Sequence, residues 1–460
     1  MSKKILFILY TLVLLLIPVT IKWYFVTYSK LIFTLSFIIF LIILITDYKY
    51  LLSIIKSKNI KIFLLPYCSF AVFVLGSTVF NSVVNDEWIW SNFFEFLRVI
   101  EYMLIFINYY YFFSSDRSNS NLFIKLLLII LTIMSLVGIM QYFNLFSLNE
   151  YYIKYIAPTQ YVTLVNNYPF PRIVCLVGNP NVLGYFYALA IVYLLYLILT
   201  KNYKWYYILL FLLYNVTLFM TLSRSSYICM VMGEVVITFL VQFRFNFANV
   251  VNTFKYVLIV ILFNVLLLLV LPYNLTWRVL ELVNIKDVDS WQNRLNNYEN
   301  DMKYFNDSTL SPQEVPNKKP NDNNDHNKPN TDDINNGLED GTDVKKIVVS
   351  NMVYKTVGNG PDKLARKHSA IFDNEWIMLL FRYGYIGTLF YLCMLLFPIC
   401  SYKYLDKSRL FLYITIMLMT IIYMIPSAVY HCDMLFGFTC ILFAYALQFS
   451  KKGRLVSYEE

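Results

Sequence analysis

The sequence predicts an all-α, polytopic integral membrane protein with about 12 transmembrane helices and one large extracytoplasmic loop before the last three spans. Three observations predict this class. Apolar residues make up 58% of the chain and charged residues only 15%, well below the ~25% of soluble domains. The apolar residues form blocks of roughly 17–24 residues, each long enough to cross a ~30 Å hydrocarbon core. Most lysines outside the large loop lie between these blocks. A soluble enzyme, a secreted disulfide scaffold and a disordered chain are thereby excluded.

Twelve apolar segments are expected to cross the membrane. They lie at residues 5–21, 31–46, 62–80, 94–113, 122–144, 182–199, 205–221, 226–242, 256–272, 376–399, 410–425 and 434–450. The first follows the residues MSKK, as the apolar part of a signal peptide does. No small-residue cleavage site follows it, so it is expected to remain as the first span.

The distribution of Lys and Arg predicts the orientation, because short cytoplasmic loops carry an excess of both. With the N-terminus inside, the cytoplasmic loops and tails hold eighteen such residues, and the short outer loops hold five, which are Lys22, Lys30, Lys154, Arg172 and Arg224. Both termini are therefore expected in the cytoplasm. The net charge of +9 reflects this asymmetry, so no nucleic-acid partner is expected.

The spans divide the chain into three parts. Residues 1–272 contain the first nine helices and an outer loop at 145–181 that is rich in Tyr, Pro and Asn. Residues 273–375 form the large extracytoplasmic loop, and residues 376–460 contain the last three helices and a cytoplasmic tail. Within the large loop, residues 306–350 are predicted to be a disordered insertion, because most of this stretch is Asn, Asp, Pro and Lys with few large apolar residues. The seven cysteines form no C-x-x-C pair, so no metal or cofactor is expected.

Arginine is the residue type that points to a function. The chain has eleven arginines against twenty-seven lysines, and seven of the eleven lie on the outer side, at Arg98, Arg172, Arg224, Arg278, Arg294, Arg366 and Arg382. A guanidinium is a rigid fork that binds phosphate oxygens through two parallel hydrogen bonds, which an ammonium group cannot do. The alternative is that these arginines pair with carboxylates or extend to the membrane surface.

Two short motifs place arginines at the outer ends of spans. Arg172 precedes the sequence GNPN at 178–181, where Asn179 and Asn181 can cap a helix or direct backbone N–H groups at an anion. Arg224 lies in TLSRSS at 221–226, a tight turn that combines hydroxyl groups with an arginine. Both motifs are consistent with an anion site, and the first is also consistent with an ordinary helix N-cap.

The densest group of polar residues precedes the tenth span. It consists of Arg366, Lys367, His368, Asp373, Asn374 and Glu375. Basic residues beside carboxylates suit both the binding of a phosphorylated lipid and the removal of a hydroxyl proton. The alternative is a charged collar at the membrane surface.

Some ionisable residues lie within the predicted spans, where they are functional candidates by default. Arg98 and Glu101 have the spacing of an i,i+3 pair. Glu234 requires a polar partner, for which Arg382 is a candidate. His431 and Asp433, in the last outer turn, are interpreted as surface residues.

These motifs, in this order, resemble the O-antigen polymerase and O-antigen ligase superfamily of bacterial membrane enzymes. The resemblance rests on the span count, on the large outer loop, on Arg172 with 178–181, on the S-R-S turn around Arg224, and on Arg294 followed by Gly358 and Gly360. It implies glycosyl transfer between undecaprenyl-diphosphate-linked oligosaccharide repeat units on the outer face of the bacterial cytoplasmic membrane. It also implies substrate contacts by Arg172, Arg224, Arg294, Arg366, Asn179, Asn181 and Asn374, and flippase and chain-length regulator proteins as partners.

One departure from the family pattern bears on the reaction. Ligases of the family end the loop with His-Asn, nine residues and then G-x-x-G, whereas this chain has Asp373-Asn374, nine residues and then Gly384 and Gly387. The proposed catalytic base of the ligases is that histidine. Its replacement favours a polymerase for O-antigen or capsular polysaccharide, and leaves the base open among Asp373, His368 and Glu375. A ligase with a lipid or protein acceptor, and a transporter of lipid-linked oligosaccharide, remain as alternatives.

Overall fold

The computed structural model describes residues 3–19, 22–23, 26–84, 90–156, 164–165, 170–200, 204–242, 247–281, 355–356, 374–401, 407–427, 429 and 432–447. The predicted insertion at 306–350 and most of the large loop lie outside these residues. The described ranges are almost entirely helical.

Fourteen α-helices are formed by the described residues. In chain order they are α1 (Lys3–Leu16), α2 (Tyr28–Lys56), α3 (Lys58–Val84), α4 (Trp90–Ser115), α5 (Arg117–Tyr142), α6 (Leu148–Tyr155), α7 (Pro180–Leu199), α8 (Tyr206–Met220), α9 (Arg224–Gln242), α10 (Phe247–Val270), α11 (Tyr273–Leu280), α12 (Glu375–Leu396), α13 (Lys407–Tyr423) and α14 (Asp433–Ala446). Short 3-10 turns occupy Leu145–Ser147 and Phe397–Ser401. Strands β1 (Lys22–Trp23) and β2 (Val26–Thr27), between α1 and α2, pair antiparallel.

Each of the twelve predicted segments coincides with a helix, leaving α6 and α11 as additional short helices. Among the described residues, eight helices are long and apolar enough to cross a membrane, namely α2 to α5, α7, α9, α10 and α12. This confirms the predicted helical membrane protein at that level. The helices α1, α8, α13 and α14 have 14, 15, 17 and 14 residues, which is shorter than the ~20 residues that usually cross a bilayer.

Two helices form the centre of the bundle. In α7, seventeen residues between Pro180 and Leu197 are buried, and in α14 every residue from Met434 to Ala446 is buried. Helix α7 packs against α8, α9 and α13, whereas α14 packs against α4, α13 and α1. Because α14 is enclosed by protein, its short length does not have to match the thickness of the lipid.

Small residues allow the central helices to approach closely, as is usual between helices in lipid. A Cβ atom on Gly184 of α7 would lie 2.7 Å from Oγ of Ser226 in α9. A Cβ atom on Gly233 of α9 would lie 2.8 Å from Val192 of α7 and 2.5 Å from Sδ of Met419 in α13. Glycine at these two positions therefore determines how closely α7, α9 and α13 pack.

The helix ends meet at two opposite rims of the bundle. At the first, here called the arginine rim, Tyr423 at the end of α13 donates a hydrogen bond to the backbone carbonyl of Asn181 at the start of α7 (2.6 Å). The backbone N–H of Val19, after α1, donates to the carbonyl of Leu176 on the same rim (3.1 Å).

The other ends of α1, α7 and α13 lie at the opposite rim, here called the lysine rim. Lys3 of α1 and the hydroxyl of Tyr111 in α4 both donate to the carboxylate of Asp47 in α2. At the same rim, Tyr196 near the end of α7 donates to Ser408 at the start of α13 (3.4 Å). Helices α1, α7 and α13 therefore run from one rim to the other.

Candidate functional site

The arginine rim is built around an extended segment that leads into α7. The side-chain oxygen of Gln141, in the last turn of α5, accepts hydrogen bonds from the backbone N–H groups of Val174 (3.2 Å) and Cys175 (2.8 Å). The N–H of Ile173 donates to the carbonyl of Met220 at the end of α8 (3.3 Å). Burial raises the pKa of the Cys175 thiol, so the neutral thiol donates to the carbonyl of Met134 (3.2 Å). The segment is thus fixed against α5 and α8.

Arg172 begins this fixed segment and joins the two predicted motifs. Its Nε donates to the backbone carbonyl of Thr221 (3.0 Å), and its Nη2 donates to the side-chain oxygen of Asn181 (2.7 Å). The sequence motifs at 178–181 and 221–226 are therefore neighbours in space. The guanidinium plane is oriented by these two hydrogen bonds.

The two asparagines of the first motif have different roles. Asn179 is the N-cap of α7, and its side-chain oxygen accepts hydrogen bonds from the backbone N–H groups of Asn181 (2.9 Å) and Val182 (3.3 Å). Pro180 occupies the first helical position. Proline is tolerated there because a backbone N–H at this position would make no hydrogen bond within the helix. Asn179 thus starts the helix, and Asn181 holds Arg172.

Hydroxyl groups line the second motif. Leu222 adopts a left-handed backbone conformation with φ 51°, which turns the chain from α8 into α9. Oγ of Ser226 donates to the carbonyl of Asn181 (3.1 Å) and lies 2.7 Å from Oγ of Ser223. Tyr423 completes this cluster, and its ring stacks on Tyr185 with the ring centroids 4.1 Å apart.

Arg224 is the first residue of α9 and forms an ion pair that is open to solvent. Its Nη1 lies 3.1 Å from Oε2 of Glu281, which follows α11, and 39% of the Glu281 side chain is exposed. The N-termini of α7 and α9 both end at this rim, where the helix dipole of each adds a partial positive charge. Two arginines and two helix N-termini make the rim suited to an anion.

The group of polar residues before α12 is only partly described. Asn374 is the N-cap of α12 and accepts from the N–H groups of Trp376 (2.9 Å) and Ile377 (3.3 Å). Glu375 is fully buried, and its carboxylate accepts a hydrogen bond from the N–H of Val429 in the turn between α13 and α14. The other predicted site residues, Asp373, His368, Arg366 and Arg294, lie outside the described residues.

A network of four charges at the starts of α4, α12 and α14 differs from the sequence prediction. Arg98 makes its i,i+3 ion pair with Glu95, three residues before it. Its Nη1 lies 2.6 Å from Oε2 of Glu95, and its Nε lies 3.1 Å from Oδ1 of Asp433. Arg382 of α12 lies 3.6 Å from the same Glu95, so Asp433 and Glu95 belong to a network rather than to the surface.

Glu234 has a different partner from the one that the sequence suggested. Its Oε2 accepts a hydrogen bond from the side-chain amide of Asn264 in α10 (2.6 Å). The same amide group also donates to the carbonyl of Val260 (3.0 Å). The pairing with Arg382 is therefore wrong, because Arg382 faces Glu95 on another side of the bundle.

Compared with models of protein families, with curated proteins and with solved structures, the chain matches none. Within the described ranges, no three His, Cys, Asp or Glu side chains come together in a group that could hold a metal ion.

Proposed function

We propose that the protein polymerises undecaprenyl-diphosphate-linked oligosaccharide repeat units into O-antigen or capsular polysaccharide at the outer face of the bacterial cytoplasmic membrane. One observation carries the proposal. Arg172 bridges the motif at 178–181 and the S-R-S turn, with 3.0 Å to the carbonyl of Thr221 and 2.7 Å to Asn181. Two motifs that the family resemblance associates with one diphosphate site thus meet at one rim, although about 40 residues separate them in sequence.

The arginine rim supplies what a diphosphate headgroup needs. Arg172 is held in a fixed orientation, and Arg224 pairs with the partly exposed Glu281, a contact that a phosphate group can replace. The helix dipoles of α7 and α9 add partial positive charge at the same rim. Donors fixed in advance stabilise the charge that develops as the lipid diphosphate leaves, because they do not have to reorganise during the reaction.

The proposed reaction is the transfer of a glycan from one lipid carrier to a second repeat unit. A hydroxyl oxygen of the acceptor unit attacks the anomeric carbon of the donor glycan, and the bond from that carbon to the diphosphate oxygen breaks. The hydroxyl proton passes to a base, for which Asp373, His368 and Glu375 are the candidates. The lipid diphosphate leaves with the bonding electrons, held by the arginines.

The proposed topology places this chemistry at the outer face of the cytoplasmic membrane. All twelve predicted segments cross the membrane, both termini are cytoplasmic, and the arginine rim faces outward. The five basic residues of the short outer loops, against eighteen inside, support this orientation. Flippase and chain-length regulator proteins would act on the same lipid-linked substrate.

Deletion of the gene in its own cell tests the proposal. We expect polymer to disappear, while single lipid-linked repeat units accumulate at the outer face of the membrane. If polymer still forms on the lipid carrier but is not passed to its final acceptor, the protein is a ligase. If the repeat units stay at the cytoplasmic face, it is a transporter. Either result contradicts the proposal.

A further inference from the structure

The short helix α6 carries an exposed pair of tyrosines next to the arginine rim. Tyr151 and Tyr155 lie one turn apart, and 62% and 68% of their surfaces are exposed. Their rings are nearly parallel, with an interplanar angle of 19° and centroids 6.5 Å apart. Nζ of Lys154 lies 5.1 Å from the centroid of the Tyr155 ring. This exposed face, called the tyrosine face below, consists of Glu150, Tyr151, Lys154 and Tyr155.

The opposite face of α6 fixes the helix to the rim. Tyr152 is buried with Leu164 and Val174. The side-chain amide of Asn149 donates to the carbonyl of Gln141 (2.8 Å), and the side chain of the same Gln141 holds the N–H groups of Val174 and Cys175. Because Arg172 lies two residues before Val174, α6 and the arginine are attached to one continuous segment.

The composition of the tyrosine face favours a sugar over a lipid. The turn before α6 exposes the apolar side chains of Leu145 and Phe146, which suit contact with lipid. On α6 itself each exposed side chain carries a hydrogen-bonding group, whereas Leu148, Tyr152 and Ile153 are buried or half-buried. A sugar ring presents a face of C–H groups that packs on an aromatic ring, and hydroxyl groups at its edge. Tyr151 and Tyr155 offer the rings, and Glu150 and Lys154 offer hydrogen-bonding partners for the hydroxyls.

We propose that Tyr151 and Tyr155 form a stacking subsite for the sugar rings of the glycan whose lipid-linked end is held at Arg172. This inference rests on the proposed function. It adds a substrate class and a role, because a subsite that holds the glycan near the rim keeps the chain bound between successive additions. Its loss therefore shortens the polymer without preventing the first linkage.

The experiment compares substitutions that separate ring stacking from lipid contact. In cells that depend on the variant gene, Tyr151→Leu/Tyr155→Leu keeps apolar side chains but removes the rings, whereas Tyr151→Phe/Tyr155→Phe keeps the rings. Tyr256→Leu is the matched control, because Tyr256 is 45% exposed on α10, which begins at the lysine rim in the proposed topology. The readouts are the length distribution of the surface polysaccharide on gels and the abundance of each protein variant.

We expect the double Leu variant to make polymer of clearly shorter modal length, since the loss of two ring contacts weakens glycan binding by about tenfold. The double Phe variant and Tyr256→Leu should give the normal length at equal abundance. Normal length with the double Leu variant overturns the subsite. If the double Leu and the double Phe variants both make short polymer, the tyrosine hydroxyls rather than the rings bind the glycan, and the stacking subsite is overturned. A gene deletion that leaves the polysaccharide unchanged overturns the proposed function itself, and with it this inference.

Discussion

At the scale of a single residue, Arg172 makes two contacts that a lysine cannot reproduce. Its guanidinium reaches Thr221 and Asn181 through two different nitrogen atoms, and an ammonium group at the end of a flexible chain cannot reproduce both contacts in that plane. The orientation of the positive charge, and not only its presence, is therefore set by the fold.

We expect Arg172→Lys to lower the rate of polymer formation by about tenfold or more, because the loss of oriented charge-assisted hydrogen bonds costs ~1.5–3 kcal/mol. Arg172→Ala should abolish polymer. The measurement is the amount of polymer formed in membranes that contain equal amounts of each variant. Arg409→Lys is the control, because Arg409 lies over the ring of Tyr445 near the lysine rim. Full activity of Arg172→Lys would mean that charge alone is sufficient.

Substitution of Glu281 tests whether a phosphate group can replace its carboxylate at Arg224. Exposed ion pairs contribute ~0–1 kcal/mol to stability, and the Glu281 side chain is 39% exposed. We therefore expect Glu281→Gln to leave protein abundance unchanged and to lower the KM for the lipid-linked repeat unit, because Arg224 no longer has a competing carboxylate. Arg224→Ala should raise that KM. Loss of activity in Glu281→Gln would show instead that the carboxylate takes part in the reaction.

Sequence patterns indicated which residues meet at the arginine rim better than they indicated the partners of buried charges. Arg172, Asn181 and Arg224 could be named because rare arginines and helix-start residues stand out along the chain. The partners of Glu234 and Arg382 could not, because they depend on how far each helix is rotated about its own axis. Asn264 lies thirty residues beyond Glu234, and no local spacing predicts that the two side chains face each other.

At the scale of the elements, hydropathy predicted the presence of helices but not their lengths. The second predicted span ends at residue 46, whereas α2 continues to Lys56 and α3 begins at Lys58. Hydropathy reports the part of a helix that contacts lipid, and that part ends where the backbone of α2 kinks at Asp47 (φ −137°, ψ 33°). Beyond the kink a second helical stretch, with the polar residues Tyr48 and Lys49 at its start, continues to Lys56 on the cytoplasmic side of the proposed topology. The strand pair β1 and β2 was missed because two-residue strands leave no periodic pattern.

The close packing of α7 against α9 can be tested by substituting Gly184, with another glycine of the same protein, Gly76, as the control. A Cβ atom on Gly184 would meet Ser226 at 2.7 Å and Thr221 at 2.9 Å, whereas a Cβ atom on Gly76 of α3 would meet nothing within 4 Å. We expect Gly184→Ala to lower the free energy of unfolding by ~1–3 kcal/mol through overpacking, and to impair polymer formation because Thr221 holds Arg172. Gly76→Ala should be neutral or slightly stabilising. Thermal unfolding of the two purified variants in detergent measures their stabilities. Equal unfolding midpoints for Gly184→Ala and Gly76→Ala would contradict the close packing at Gly184.

The contact between α9 and α10 depends on one polar pair within the bundle. Glu234→Gln retains a side-chain oxygen that can accept from Asn264, so it should leave thermal stability unchanged. Glu234→Leu removes that acceptor and should destabilise the protein by ~0.6–2 kcal/mol, the range measured for hydrogen bonds between membrane helices. Unfolding midpoints in detergent would separate the two. A loss of stability in Glu234→Gln equal to that in Glu234→Leu would show that the negative charge itself is required.

At the scale of the whole molecule, the arrangement of helices around a centre was not predictable from hydropathy. Helices α7 and α10 are both strongly apolar, yet 83% of the span in α7 is buried inside the protein and only 17% of that in α10. Lipid and protein interior are equally apolar, so apolar side chains alone do not distinguish a central helix from a peripheral one. The central position of α7 depends instead on close packing, for which Gly184 leaves room beside Ser226 and Thr221.

The two rims lead to a prediction for the topology of the whole chain. Val19, after α1, contacts the arginine rim while Lys3 lies at the lysine rim, and α7 and α13 also have one end in each. Helices that run from rim to rim, with most short-loop lysines on one side, require the chain to alternate between the two faces of the membrane. Reporter fusions at residues 118, 202, 248 and 405 should therefore give a cytoplasmic signal, and fusions at residues 160 and 330 an extracytoplasmic one. An extracytoplasmic signal at 248 would mean that α9 does not cross the membrane, and the arginine rim would then lie on the wrong face to meet a lipid-linked glycan.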